Sequence, residues 1–223
     1  MEEIILASQS PRRRELLSQV GLKFQVIPST VEEVITEKDP VKVVQELSRQ
    51  KAQDVAARLG WAADGPDTDQ NPERKIRSQV EGLVIGADTI VVYQGQILGK
   101  PKDVQDAVRM LTMLQGHTHS VYTGVTLIFK ESGGREKGAL GEDREGSCSV
   151  ERLTFAEETR VTMYPMTEEE IAWYVETGEP MDKAGAYGIQ GICARFIRGI
   201  SGDYNNVVGL PVGRICQEIS RRK

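Results

Sequence analysis

Apolar runs of strand length alternate along this chain with helical patterns, and that alternation constrains its fold more than any other feature. The runs that suit buried strands cover residues 4–7, 83–93, 121–129 and, with a weaker pattern, 192–200. Helical spacing predicts helices over residues 11–20, 40–59 and 104–114, and a further helix from a capping box at Thr167 and Glu170 to Gly178. Such alternation indicates an α/β architecture, in which the sheet need not be wholly parallel.

The first strand opens directly into a helix start that carries three arginines. Ser10 is the predicted N-cap, Pro11 the first helical residue and Gly21 the stop signal. The buried face of this helix is expected to consist of Leu16, Leu17 and Val20. The first turn then contains Arg12, Arg13 and Arg14.

Cations are ordinarily placed at the other end of a helix, because the N-terminus already carries about half a positive charge. Free backbone N–H groups, the hydroxyls of Ser8 and Ser10 and extra positive charge at one spot suit an anionic ligand, phosphate above all. A solvated basic turn is the alternative interpretation of this segment.

Length, charge and hydropathy exclude several classes of function. The 223 residues suffice for one compact unit with a sizeable core. The net charge of −5 provides no general basic field for duplex nucleic acid, so no nucleic-acid partner is expected. No apolar stretch approaches the roughly 20 residues of a membrane span, and no signal segment precedes the first strand. We therefore expect a cytoplasmic protein without a membrane partner.

Cysteines and histidines give no sign of a metal centre. Cys148, Cys193 and Cys216 are odd in number, widely separated and without a Cys-x-x-Cys pair, which argues against disulfides and thiolate sites. His117 and His119 are interpreted as turn residues, because no nearby Cys or third His completes a site. Motifs of serine hydrolases, P-loop NTPases and dinucleotide-binding oxidoreductases do not occur.

Two stretches break the pattern of strands and helices. Residues 61–81 and 130–152 combine little apolar content with many charged residues. We expect both to be surface insertions in a single domain that covers residues 1–223.

Asp88 interrupts an otherwise aliphatic run. The segment Gly86-Ala87-Asp88-Thr89 separates two groups of three large aliphatic residues, 83–85 and 90–92. A carboxylate in such surroundings is costly to bury unpaired, so it must meet a cation, a metal or a hydrogen-bond network. Asp88 is therefore a functional candidate, and the alternative is a bulge at a strand end with Asp88 capping a turn.

Three further charged residues gain weight only as members of one set. Taken singly, Glu33 beside a loop start, Lys51 in a helix and Lys100 in a turn are ordinary surface residues. Together they offer carboxylates for a divalent cation and ammonium groups for phosphate oxygens.

Residues 181–191 form an unusual polar and glycine-rich stretch. Three glycines and two alanines within eight residues allow a ligand to approach the backbone closely. Asp182, Lys183, Tyr187 and Gln190 add polar reach. A second structured loop is expected over residues 201–211.

Taken in chain order, these motifs closely resemble the Maf family of nucleoside triphosphate pyrophosphatases, from residue 4 to about residue 215. The matching segments are Leu6-Ala7-Ser8-x-Ser10-Pro11-Arg12-Arg13, Glu33, Lys51-Ala52, residues 86–89, Lys100-Pro101, residues 182–191 and residues 206–211. The resemblance implies a fold like that of inosine triphosphate pyrophosphatases. That fold has an elongated mixed β-sheet with flanking helices and two lobes around a cleft, usually in a homodimer.

The resemblance also implies hydrolysis of a nucleoside triphosphate between its α and β phosphates, with Mg²⁺ or Mn²⁺ as cofactor. Arg12, Thr89 and Gln190 look like the specificity residues of the branch that acts on dTTP and UTP. Asp88 is expected to be the proton acceptor and, with Glu33, the metal ligand, while Lys51 and Lys100 assist. The residues expected to bind substrate are Ser8, Ser10, Arg12, Arg13, Thr89, Lys183 and Gln190.

Two other functions remain open at this stage. One is a nucleotide-binding regulator of septum formation with little turnover, which pyrophosphate release from dTTP would exclude. The other is inosine triphosphate hydrolysis, which would show as a purine preference. The chain departs from the family pattern in its two insertions and at Asp203-Tyr204-Asn205 in the last loop.

Overall fold

The computed structural model describes residues 3–61, 80–131, 136–137, 143–144 and 149–222. Within them a seven-stranded sheet contains β1 (Glu3–Leu6), β2 (Gln25–Val26), β3 (Val80–Tyr93), β4 (Gln96–Leu98), β5 (Thr118–Glu131), β8 (Ser149–Met163) and β9 (Ile197–Ser201). Two short strands, β6 (Glu136–Lys137) and β7 (Asp143–Arg144), pair with each other. The α-helices are α1 (Pro11–Gln19), α2 (Pro40–Arg58), α3 (Val104–Leu114), α4 (Glu168–Glu176), α5 (Tyr204–Val208) and α6 (Val212–Ser220).

The sheet is mixed, with the strand order β2-β1-β3-β5-β8-β9 and β4 paired to β3. β1 is parallel to both of its neighbours, the edge strand β2 and the central strand β3. From β3 to β9 every neighbouring pair is antiparallel. The expectation of a mixed sheet flanked by helices is confirmed.

Helices cover both faces of this sheet because β3 and its neighbours alternate their side chains between the faces. On one face Leu83, Ile85 and Ala87 pack with residues of α1 and α6. On the other face Val84 packs with residues of α2. A further core, formed by α3, α4 and three 3₁₀ turns (Glu179–Asp182, Ala184–Ala186 and Ile192–Phe196), surrounds the far ends of β3, β5 and β8.

The capping signals correctly located two helix starts. Ser10 Oγ accepts a hydrogen bond from Arg13 N at 3.5 Å, and Gly21 follows the helix with φ +74°. The capping box of Thr167 and Glu170 is complete, with both reciprocal hydrogen bonds present. Val20, however, was wrongly placed on the buried face, because it lies beyond the last helical residue and is 39% exposed.

The strand predictions need two corrections. β8 was not predicted, because its apolar residues Leu153, Phe155 and Val161 alternate with charged and polar ones instead of forming a run. The predicted strand at residues 192–200 begins as the 3₁₀ turn Ile192–Phe196 and becomes extended only at Ile197. The proposed insertions lie mostly outside the described residues, as does Cys148, although strands extend into the ends of both.

None of the helices among the described residues is both long enough and apolar enough to span a membrane.

His119 was interpreted as a turn residue, but it lies in β5, where only 3% of it is exposed. Its Nε2 atom lies 2.7 Å from the Tyr187 hydroxyl, and the two rings meet edge to face. Nδ1 has no hydrogen-bond partner within the described part of the chain. Burial lowers the pKa of His119 from 6.5 to about 4, so the core holds this imidazole in its neutral form.

We predict that His119 makes the protein less stable in weak acid. Below pH 6.5 the unfolded chain binds a proton at His119 that the folded chain binds only near pH 4. The free energy of unfolding should therefore fall as the pH drops through this window, by about 3 kcal/mol at most from this residue. Urea unfolding between pH 7.5 and 4 would measure the effect.

The matched variants for this test are His119→Gln and His117→Gln. Glutamine keeps a polar group near the Tyr187 hydroxyl but does not titrate, so His119→Gln should flatten the pH dependence. The exposed His117 contacts Tyr93 on the surface, and its substitution should leave the slope unchanged. Parallel curves for the wild type and His119→Gln would contradict the prediction.

Candidate active site

One cavity of about 780 Å³ lies where the packed groups of the fold meet. Its walls come from the start of α1, the middle of β3, the turn after β4, one face of α2, the segment before α2, the loop that follows α4 and the end of α5. The candidates that line it are Ser8, Ser10, Arg12, Arg13, Glu33, Lys51, Asp88, Thr89, Lys100, Lys183 and Gln190. The structure thus brings together every residue that the sequence singled out as a site candidate.

Two glycines let α2 lie directly on the sheet. A Cβ atom on Gly86 of β3 would collide with the carbonyl oxygen of Ser48, and one on Gly124 of β5 with the backbone of Val44. Gly86 and Asp88 project from the same side of β3, because they are two residues apart in a strand. The close approach of α2 therefore places Lys51 over Asp88.

The Lys51 ammonium lies between two carboxylates. Its Nζ atom is 2.5 Å from Asp88 Oδ1 and 3.0 Å from Glu33 Oε1. The side chains of Lys51 and Asp88 are each 15% exposed, whereas that of Glu33 is 48% exposed. Asp88 pairs regularly with Gly124 in mid-strand, so the alternative of a bulge at a strand end is wrong.

This carboxylate pair fits the way proteins bind Mg²⁺. That ion usually takes one or two carboxylates and completes its octahedron with water and substrate phosphates. Asp88 and Glu33 converge on one point, the Lys51 ammonium, and both line the cavity. Across the described ranges no group of three or more His, Cys, Asp or Glu side chains forms a closed metal cage.

Arg13 is a half-buried cation whose protein partners are all uncharged. Its Nε donates to the Gly209 carbonyl at 2.8 Å, Nη1 to Ser8 Oγ at 3.0 Å and Nη2 to Thr89 Oγ1 at 3.1 Å. Burial lowers the pKa of Arg13, and the negative charge of Asp88 opposes that effect. Each Nη retains a second N–H, so the guanidinium offers fixed donors and positive charge to an anion in the cavity.

Thr89 acts on Arg13 through a chain of hydroxyl groups. Thr123 Oγ1 donates to the Asn206 carbonyl at 2.9 Å, so Thr89 must donate its own proton to Thr123, 2.9 Å away. Thr89 then accepts from Arg13 with a remaining lone pair. In this arrangement Thr89 has no donor left for a ligand and instead orients the guanidinium.

Arg12 and Lys183 converge on Asp182. Arg12 Nη1 lies 2.9 Å from Asp182 Oδ2, and Lys183 Nζ lies 2.6 Å from Asp182 Oδ1. Partial burial tends to raise the pKa of Asp182, but hydrogen bonds from Lys183 and Arg12 outweigh it and hold the pKa below its usual value. The start of α1 is thereby joined to the glycine-rich loop.

The turn that carries Gln190 is held by its backbone. The Glu179 carboxylate accepts from Ile192 N at 2.8 Å and from the Tyr174 hydroxyl at 2.8 Å, and that hydroxyl accepts from Gly188 N. A Cβ atom on Gly191 would collide with the same carboxylate. Gln190 itself is exposed, and no hydrogen bond of its amide is seen within the described residues.

Lys100 is likewise exposed, in the turn after β4, without an ion pair in the described part of the chain. The sequence reasoning missed three residues that shape the site, Thr123, Tyr174 and Glu179, whereas Asn206 lies in the segment 206–211 that it had singled out. Thr123 and Tyr174 occupy ordinary strand and helix positions, and Glu179 is one of many acidic residues. No local sequence signal distinguishes them, because their roles depend on partners brought close by packing.

The model of the family described as Maf-like protein matches residues 3–222 of the chain. The chain belongs to the Maf family. It is 54% identical over 221 residues to the dTTP/UTP pyrophosphatase of Agathobacter rectalis, covering 99% of this chain and 98% of that protein. It is 43% identical to the proteins of the same name from Lachnoclostridium phytofermentans, over 99% of this chain and 95% of that one, and Carboxydothermus hydrogenoformans, over 97% of both.

For this Maf protein we predict that Gly86→Ala weakens the contact between α2 and the sheet. The added methyl group meets the backbone of Ser48 and Ala52, which cannot move aside as a flexible side chain would. Overpacking of this kind costs about 1–3 kcal/mol, and the shift should also separate Lys51 from Asp88. Urea unfolding would measure the destabilisation.

Gly199→Ala on β9 is the matched control, because a Cβ there has nothing within 4 Å. It should change the free energy of unfolding by no more than about 0.5 kcal/mol. A Gly86→Ala variant as stable as Gly199→Ala would show that α2 has room to move off the sheet.

Proposed function

We propose that this chain hydrolyses dTTP and UTP at the α–β phosphate bond, giving the nucleoside monophosphate and pyrophosphate. Three relatives at 43–54% identity over nearly their whole length carry the name dTTP/UTP pyrophosphatase. The structural observation that carries the proposal is one cavity with a carboxylate pair around Lys51 on one side and, on another, the Arg13 guanidinium, whose hydrogen-bond partners are all uncharged.

The charges of the cavity suit a triphosphate. On a chain with a net charge of −5, a polyphosphate needs concentrated local cations. Arg13 supplies positive charge, and all of its hydrogen-bond partners are uncharged. Arg12 and Lys183 are already paired with Asp182, so a phosphate that binds them replaces the Asp182 carboxylate as their anionic partner.

Asp88 is our choice for the group that orients and deprotonates the attacking water. Lys51 binds Oδ1 of Asp88, which leaves Oδ2 without a hydrogen-bond partner among the described residues and able to accept a proton. Asp88 and Glu33 would hold Mg²⁺ or Mn²⁺, which when bound supplies charge neutralisation at the phosphate oxygens. Fixed cations around the phosphates then stabilise the charge that builds up on the departing pyrophosphate.

Discrimination between bases is assigned to Gln190. Uracil and thymine present an N3–H donor beside two carbonyl acceptors, which a side-chain amide can meet with both its oxygen and its NH₂. Cytosine reverses the donor and acceptor at two of these atoms. Gln190 lines the cavity on a turn that Glu179 holds through the backbone, so the backbone from which the amide extends has a defined place.

The physiological role that we propose is the removal of surplus or modified pyrimidine nucleotides before polymerases use them. We further propose that residues 1–223 form one domain and that the chain assembles as a homodimer. The alternative function, a regulator of septum formation with little turnover, is not favoured, because the relatives are named for an enzymatic activity.

Asp88→Asn should abolish turnover without disturbing the fold. The substitution is nearly isosteric and removes the charge that a general base or metal ligand needs. Loss of general-base help alone lowers the rate by about 100- to 10,000-fold. The assay follows dTTP with Mg²⁺ or Mn²⁺ and identifies the first products.

Folding of Asp88→Asn is checked by its unfolding curve, so that a loss of activity is not a loss of structure. Near-normal activity at saturating metal would remove Asp88 from the catalytic role. Orthophosphate and a nucleoside diphosphate as the first products of the wild-type chain would rule out cleavage at the α–β bond.

Gln190→Ala should shrink the preference for UTP over CTP while leaving pyrophosphate as the product. An unpaired polar group costs about 1–3 kcal/mol, or roughly 5- to 150-fold in rate, so the ratio of kcat/KM values should move by that factor. Gln96→Ala, at an exposed position of β4, is the control. An unchanged ratio in Gln190→Ala would place base recognition elsewhere in the cavity.

A further inference from the structure

Residues 28–37, here called the strap, cross the surface between β2 and α2 and carry Glu33. The strap has no helix or strand of its own, and its large apolar side chains gain little from burial. Val31, Val34 and Ile35 are 39%, 56% and 57% exposed. Something other than hydrophobic packing must therefore hold the strap in place.

Four side chains of α2, spaced four residues apart, hold the backbone of the strap. The contacts are Thr36 N to Glu46 Oε2 at 2.9 Å, Val34 N to Gln50 Oε1 at 3.0 Å, Thr30 N to Asp54 Oδ2 at 2.9 Å and Arg58 Nη1 to the Pro28 carbonyl at 2.9 Å. Residues at this spacing share one face of a helix, so the contacts form a ladder along α2. The strap runs antiparallel to the helix.

The spacing of these contacts along the helix matches their spacing along the strap at only two of the three steps. Helix residues four apart are separated by about 6 Å along the axis, and two extended residues span about 6.6 Å. Two strap residues therefore match one four-residue step of the helix from Thr36 to Val34 and from Thr30 to Pro28. Between Val34 and Thr30 the strap has four residues for one such step, two more than it needs, so it must leave the helix there.

The surplus section, residues 31–33, is the part that carries Glu33. It is bounded on one side by Val34, which Gln50 holds twice, since Gln50 Nε2 also donates to the Val34 carbonyl at 2.6 Å. Gln50 is in turn the neighbour of Lys51, whose ammonium lies 3.0 Å from Glu33. One side-chain amide thus fixes the point from which Glu33 reaches into the cavity.

We propose that Gln50 is a positioning residue, which sets the Glu33 carboxylate against Lys51 by clamping the backbone of Val34. The proposal rests on the proposed function for the catalytic importance of Glu33. It assigns no contact between Gln50 and the substrate. Gln50 acts only through the strap, and its effect on catalysis should disappear when Glu33 no longer supplies a charge.

The test compares Gln50→Met with Gln53→Met. Methionine has nearly the length of glutamine and suits a helix, but cannot make either hydrogen bond to Val34. Gln53 lies on the same helix, and the described residues show no hydrogen bond from its side chain to the strap. We expect Gln50→Met to lower kcat, or to raise the Mg²⁺ concentration for half-maximal rate, by about 10- to 100-fold.

Two further readouts distinguish positioning from general damage. The KM for dTTP should stay within about twofold in Gln50→Met, and Gln53→Met should stay within about twofold in every parameter. In the Glu33→Gln background, Gln50→Met should cause little additional loss, because two residues that act as one unit are not additive. Full additivity of the two substitutions, or a Gln50→Met enzyme indistinguishable from the wild type, would overturn the proposal.

Amide hydrogen exchange measures the clamp without using activity. The Val34 amide should exchange faster in Gln50→Met than in the wild type, while helix α2 keeps its protection. Unchanged exchange at Val34 would overturn the clamp. Absence of pyrophosphate release by the wild-type chain would instead overturn the proposed function, and exchange at Val34 alone would then decide whether Gln50 holds the strap.

Discussion

The contact between Lys51 and Asp88 is the interaction on which the rest of the site depends. A carboxylate in the middle of an aliphatic strand needs a cation, a metal or a hydrogen-bond network, and here the close approach of α2 to the sheet supplies the Lys51 ammonium. Gly86 and Gly124 permit that approach because α2 lies against their bare backbone. Glu33 completes the group from a separate segment and leaves the ammonium shared between two carboxylates.

Because side chains alternate along β3, two helices contribute to the site from opposite faces of the sheet. Asp88 and Thr89 are consecutive, so their side chains leave the strand on opposite faces. Asp88 meets Lys51 of α2, and Thr89 meets Arg13 of α1. The cavity is consequently lined by carboxylates on one side and by the Arg13 guanidinium on another, although Asp88 and Thr89 are adjacent in the chain.

Hydrogen bonds from side chains to the backbone position the two loops that carry Gln190 and Glu33. The Gln190 turn depends on Glu179, and the strap with Glu33 depends on the ladder of α2. In both cases side chains bind backbone groups and fix the path of the chain, although the residues on either side of Gln190 also pack in the core.

Much of the local structure was predictable because it depends on neighbours in sequence. The caps at Ser10 and Thr167 and the full length of α2 follow from short-range hydrogen bonds and helical spacing. β8 was not predicted, because apolar residues that alternate with polar ones indicate a strand less strongly than a continuous apolar run does. His119 was misplaced because nothing in its sequence neighbourhood indicates the Tyr187 hydroxyl that it meets in the core.

The sequence by itself determined the residue types of the site and therefore the kind of ligand, since carboxylates, arginines and lysines at motif spacing suit a metal-bound polyphosphate. Only the tertiary structure decided which of them pair. Lys51 pairs with Asp88, and Arg13 donates a hydrogen bond to Thr89. Arg12 pairs with Asp182, 170 residues further along the chain. Pairings of this kind depend on the packing of distant elements, and a hydrogen bond that forms only after packing leaves no periodic trace in the sequence.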